Sequence, residues 1–69
     1  MNGKQLYRVN RAKYISLDGK HVIEYFIYRG GKSEWIISER NSDGFYFSAV
    51  DHAPTLEEAR AKYVAKVGA

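Results

Sequence analysis

The side chains in this chain that could do chemistry are two histidines, a set of strand carboxylates and an unusually dense set of aromatic and basic residues. His52 directly follows Asp51, a pair able to serve as a base or to begin a metal site, but no nucleophile or further ligand stands at a recognisable spacing from it. His21 stands alone beside a turn, and Glu24, Glu34 and Glu39 are single charges on strands. Glu57 and Glu58 have another use at a helix start. Asp18-Gly19 and Gly30-Gly31 are turn dipeptides without the strand and helix that would make either one a phosphate loop. The sequence therefore predicts no catalytic residue, no metal site, no cofactor and no enzymatic activity.

Aromatic and basic residues offer binding chemistry instead. Phe26, Tyr28, Ile36, Arg40, Tyr46 and Val50 fall at alternating strand positions on one face, with Arg11 or Lys13 adjoining from the first strand. Aromatic rings are stacking platforms and neighbouring cations hold phosphates, which is how single-stranded nucleic acid binds to a sheet. The same surface suits a protein partner or a second copy of the chain, because Tyr and Arg are enriched at interface centres. Arg29 and Lys32 at one hairpin, with Lys62 and Lys66 on the helix, form a second basic set able to track a nucleic-acid backbone. The plainer alternative is that the rings pair across strands and the charges are solvated. The candidate binding residues are Arg11, Lys13, Phe26, Tyr28, Arg29, Lys32, Ile36, Arg40 and Tyr46.

Turn signals set the elements that must position these groups. Asp18-Gly19, Gly30-Gly31 and Asn41-Ser42-Asp43-Gly44 separate runs rich in Tyr, Ile, Val and Phe. They predict four strands, about 6–16, 21–29, 34–40 and 45–50, too closely spaced for a parallel crossover. A three-residue loop Gly30-Gly31-Lys32 pairs Ile27 with Trp35, Tyr25 with Ile37 and Phe26 with Ile36, whereas a two-residue loop mixes the faces. A Ser42-Asp43-Gly44 loop pairs Ile37 with Ala49 and Arg40 with Tyr46, with Gly44 left-handed. This register puts Ile23, Tyr25, Ile27, Trp35, Ile37, Phe45, Phe47 and Ala49 on the core face. Asn10-Arg11-Ala12-Lys13 breaks the first strand's alternation, so a bulge or an edge is expected there.

The final segment is a helix over about 55–67. Pro54, Thr55 as N-cap and Glu58 three residues on make a capping box, and Gly68 stops the helix. Leu56, Ala59, Tyr63 and Val67 recur at helical spacing and should lie on the sheet. The fold class is α+β, a four-stranded antiparallel meander with one C-terminal helix on one face. That helix is about 18 Å long at ~1.5 Å per residue, enough to cover one face only. The other face is left apolar and without a layer.

Length and composition agree with a small binding domain. Sixty-nine residues make one domain, spanning 1–69, and a chain of this size buries only roughly 60% of its unfolded surface. It contains no cysteine, so neither disulfides nor thiolate metal sites support it, and an intracellular, cytoplasmic setting is expected. The opening MNGKQLYRV carries no apolar signal core, and no run approaches the ~20 residues of a membrane span. Eleven Lys and Arg against eight Asp and Glu give +3, which suits an anionic partner mildly.

A short antiparallel meander followed by a helix opening Pro54-Thr55-Leu56-Glu57-Glu58-Ala59 resembles small proteins of phages and other mobile elements. Over Tyr25 to Lys66 it also resembles the arm-type DNA-binding domain of tyrosine integrases, in which a sheet enters the major groove and a helix supports it from behind. The resemblance implies an accessory factor that binds nucleic acid. The competing expectation is an inhibitor or adaptor of the anti-CRISPR or anti-restriction kind, acting on a nucleic-acid-processing protein complex. A third expectation is a homodimer closed through the free face.

Overall fold

A computed structural model of the chain describes residues 5–68; the first four residues of the N-terminal reading, and Ala69, lie outside the described residues. The elements run β1 (Leu6–Asn10), β2 (Lys13–Ser16), β3 (His21–Ile27), β4 (Ser33–Arg40), β5 (Phe47–Ala53) and α1 (Leu56–Val67). The strands form one antiparallel sheet in sequential order, β1-β2-β3-β4-β5. The α+β class, the meander and the C-terminal helix are as the sequence predicts. The strand count is not, because the sheet has five strands rather than four.

The extra strand comes from the stretch where alternation breaks. The Asn10 side-chain oxygen accepts from the Ala12 amide at 2.8 Å, and this local bond turns the chain at Arg11-Ala12. β1 then folds back on β2, with Tyr7 opposite Ile15 and Arg8 opposite Tyr14, and Val9 is the extra residue of a bulge. A single strand from Leu6 to Ser16 is thus corrected to a hairpin. The turn into β3 is tied by Ser16, whose hydroxyl donates to Asp18 Oδ1 at 2.7 Å and accepts from the His21 amide at 3.0 Å.

The β3–β4 loop has the expected three residues but begins one residue earlier, as Arg29-Gly30-Gly31. The Tyr28 amide donates to the Lys32 carbonyl at 2.6 Å, closing that loop. Tyr25 therefore faces Trp35, Ile23 faces Ile37 and Phe26 faces Glu34. The slip is two residues, so every side chain keeps its expected face. At the β4–β5 turn the Asn41 amide donates to the Tyr46 carbonyl, which makes the loop Ser42-Asp43-Gly44-Phe45, one residue longer than expected. Gly44 is left-handed there, with φ of 79°.

That single added residue reverses the start of β5. Arg40 faces Phe47 and Ser38 faces Ala49; Val50 then bulges out, and Ile37 faces Asp51 and Trp35 faces Ala53. Phe47 and Ala49 consequently lie on the open face rather than in the core, and Phe45, 82% exposed, lies in the loop. Asp51 and Ala53 take the helix side.

The core is Ile23, Ile37, Ala53, Ala59 and Tyr63, with Leu6, Tyr14, Trp35, Leu56 and Val67 packed around it. Tyr25 lies at its rim against Trp35, the ring centroids 5.1 Å apart. Leu56, Ala59, Tyr63 and Val67 are the helix face that meets the sheet, as their spacing predicts. The Thr55 hydroxyl accepts from the Glu58 amide at 3.2 Å, the expected N-cap bond. No helix among the described residues is long and apolar enough to cross a membrane.

Candidate binding site on the open sheet face

The face turned away from the helix carries Val22, Glu24, Phe26 and Tyr28 from β3 and its loop. Glu34, Ile36, Ser38 and Arg40 come from β4, and Phe47, Ala49 and His52 from β5. On the far side of β3, Lys13 lies opposite Glu24 and Ile15 opposite Val22. Val22 is buried, yet it stands apart from the core beneath the helix. A shallow groove of about 410 Å³ crosses this face, lined by Glu24, Phe26, Tyr28, Ile36, Ser38, Phe47 and Ala49.

Polar contacts fix the ends of the groove. The Tyr28 hydroxyl donates to Glu34 Oε1 at 2.9 Å, and His52 Nδ1 lies 3.2 Å from Glu34 Oε2. The hydrogen bond to Glu34 pushes the Tyr28 pKa above its usual 10.0, with burial and the Glu34 charge adding to it. At the other end the Arg40 guanidinium sits over the Phe47 ring, 5.4 Å from its centroid.

Of the residues singled out by sequence, Phe26, Tyr28 and Ile36 are brought together in this groove, and Lys13 and Arg40 border it. Arg40 also lines a second depression, with Lys20, His21, Glu39, Asn41, Ser42 and Gly44. Tyr46 lies elsewhere: it pairs with Asn41 at the mouth of the hairpin and is 68% exposed. Arg11 projects from the β1–β2 turn, and Arg29 and Lys32 lie at the β3–β4 hairpin. Lys62 and Lys66 do not join these two. Lys62 Nζ donates to the His52 carbonyl at 2.7 Å and lies 3.5 Å from Asp51, while Lys66 lies 3.7 Å from Asp51. The Asp51 carboxyl is held below its usual range, first by the His52 amide and then by these two lysines.

Asp51 and His52 thus diverge, one toward the helix and the other toward Glu34 on the open face. Among the described residues no three metal-ligating side chains converge. Four groove residues are not among the sequence candidates: Phe47 and Ala49, which the sequence assigns to the core face, Glu24, which it takes as a single strand charge, and Ser38. Glu24 carried a visible signal, since it alternates with Phe26 and Tyr28 on one strand. Comparison with protein-family models, curated proteins and solved structures finds no match.

Proposed function

We propose that this chain is a non-catalytic module that docks a protein partner on the open face of its sheet. The observation that supports this reading is the groove itself: an apolar floor of Ile36 and Ala49 between the half-exposed rings of Phe26, Tyr28 and Phe47. Rings of this kind, fixed on strands with few rotamers to lose, are what interface centres are made of. Two carboxylates, Glu24 and Glu34, lie on the same face and repel a polyanion. The partner proposed is a nucleic-acid-processing complex, with this chain as its inhibitor or adaptor, the competing expectation to the direct nucleic-acid binding that the sequence resemblance implies.

Nucleic acid on the same face is the second reading, favoured by Arg40 stacked on Phe47 and by Lys13 at the opposite border. Affinity-tagged wild-type protein and the Phe47→Asp variant, each used with and without nuclease, separate the two. Specific capture of one protein that persists after nuclease and is lost in Phe47→Asp supports docking. Capture that disappears with nuclease, together with a salt-dependent anisotropy change on single-stranded DNA or RNA, supports the second reading. A dimer in light scattering that dissociates on Phe47→Asp assigns the face to a second copy.

A further inference from the structure

We infer that the groove recognises a basic side chain carried on an apolar segment of the protein partner, with Glu24 as the receiving carboxylate. This rests on the docking reading and narrows it. The other strand carboxylates all have partners: Glu34 has Tyr28 and His52, Glu39 lies 3.6 Å from His21, and Asp51 has Lys62 and Lys66. Glu24 is the exception. It is half-buried, flanked along β3 by Val22 and Phe26 and opposite Ile36 on β4, and its carboxylate has no hydrogen bond or ion pair among the described residues. Even Lys13, its cross-strand neighbour, makes no ion pair with it.

A partner that covers this groove strips water from the Glu24 carboxylate. An ionised carboxylate buried without donors is costly, so the covering surface must supply them. A neutral donor satisfies the oxygens but leaves the charge, whereas a cation answers both. Arginine fits best, because its planar fork matches the carboxylate and its face can lie against Phe26 or Tyr28. Its aliphatic stem would cover Ile36 and Ala49, and a groove of about 410 Å³ has room for that side chain with an apolar neighbour. Lys13 is the internal competitor for Glu24, which gives the inference a second handle.

The test uses the isotope-labelled full chain and three capped pentapeptides, Ser-Leu-Arg-Leu-Ser and its counterparts with Gln or Glu at the centre. The arginine peptide should shift the amides of Glu24, Phe26, Ile36, Ser38 and Ala49 saturably, with the glutamine peptide about tenfold weaker and the glutamate peptide weaker still. Glu24→Gln should erase the preference for arginine while the rest of the spectrum stays native, and Lys13→Met should tighten arginine binding. Equal binding of the arginine and glutamine peptides at the groove overturns the inference and leaves the docking reading standing. Shifts from none of the peptides at millimolar concentration also overturn it, while the Phe47→Asp capture experiment still decides docking. Stronger, salt-sensitive shifts of the same amides by an oligothymidylate overturn both.

Discussion

Tyr63 and His21 meet edge to face inside the domain, their ring centroids 5.5 Å apart at an interplanar angle of 65°. The Tyr63 hydroxyl and His21 Nδ1 are both buried with no hydrogen-bond partner. His21 Nε2 points the other way, toward Glu39. Helix and sheet are thus joined at this point by ring packing rather than by a polar bond.

The orphan hydroxyl makes Tyr63→Phe a stabilising change. Removing an unsatisfied buried donor while keeping the ring should raise unfolding free energy by about 1 kcal/mol, read by urea denaturation at neutral pH. Burial, reinforced by the Asp18 charge, pushes the Tyr63 pKa above the usual 10.0; the Ser16 hydroxyl makes no hydrogen bond to it, being engaged by Asp18 and the His21 amide. The unfolded chain therefore loses this proton at lower pH than the folded one, and wild-type stability should fall as pH rises above about 10. Tyr63→Phe should lack that component. A stability loss in Tyr63→Phe would mean that the hydroxyl is bonded in solution.

At the acid end Asp18 is a sensitive group, as is Asp51. The Asp18 carboxyl accepts from the Ser16 hydroxyl and the Lys20 amide, which hold its pKa below the usual 3.8. A depressed folded pKa contributes stability above the unfolded value that is lost as pH falls through the folded one. Stability should therefore decline below about pH 4, and Asp18→Asn should flatten that decline. Identical acid transitions for the two proteins would show that the turn bonds form equally well with the neutral carboxyl.

Gly30 and Gly31 both sit at positive φ, 87° and 85°, and a Cβ at either position would meet nothing within 4 Å. Any cost of substitution is therefore backbone strain alone. Alanine at either position should destabilise by about 1–2 kcal/mol in urea denaturation, and asparagine by less, because Asn tolerates the left-handed region. Equal losses for Ala and Asn would point to a loop that has left this conformation, and with it the Tyr25–Trp35 register.

That hairpin also explains which parts of the site could be read from sequence. The actual register differs from the expected one by two residues, an even slip, so Phe26, Tyr28 and Ile36 stay on the face where alternation puts them. The β4–β5 loop differs by one, which exchanges Phe47 and Ala49 for Tyr46 on that face. Apolar pattern favoured the wrong choice, since Phe45, Phe47 and Ala49 look like a core stripe and Asp51 does not. What makes Asp51 acceptable beneath the helix is the pair Lys62 and Lys66, eleven and fifteen residues away in sequence and invisible to a strand pattern. The missing fifth strand has a similar cause, because one Asn10 side-chain bond turns a stretch that alternation alone reads as continuous.

The exchange at β5 is directly testable by comparing Phe47 with Ile37. Ile37 is fully buried under the helix, so Ile37→Ala should cost about 2–5 kcal/mol. Phe47 lies on the open face, 40% exposed, with Arg40 over its ring. Phe47→Ser should cost under about 1 kcal/mol, chiefly the stacking and partial burial, since a residue outside the core leaves no cavity when truncated. If Phe47 instead belonged to the core stripe that its spacing suggests, truncation would cost about 3–5 kcal/mol and expose the helix. A folded, near-native Phe47→Ser protein that no longer binds its partner would join both results, because only a residue on an uncovered, functional face loses binding without losing stability.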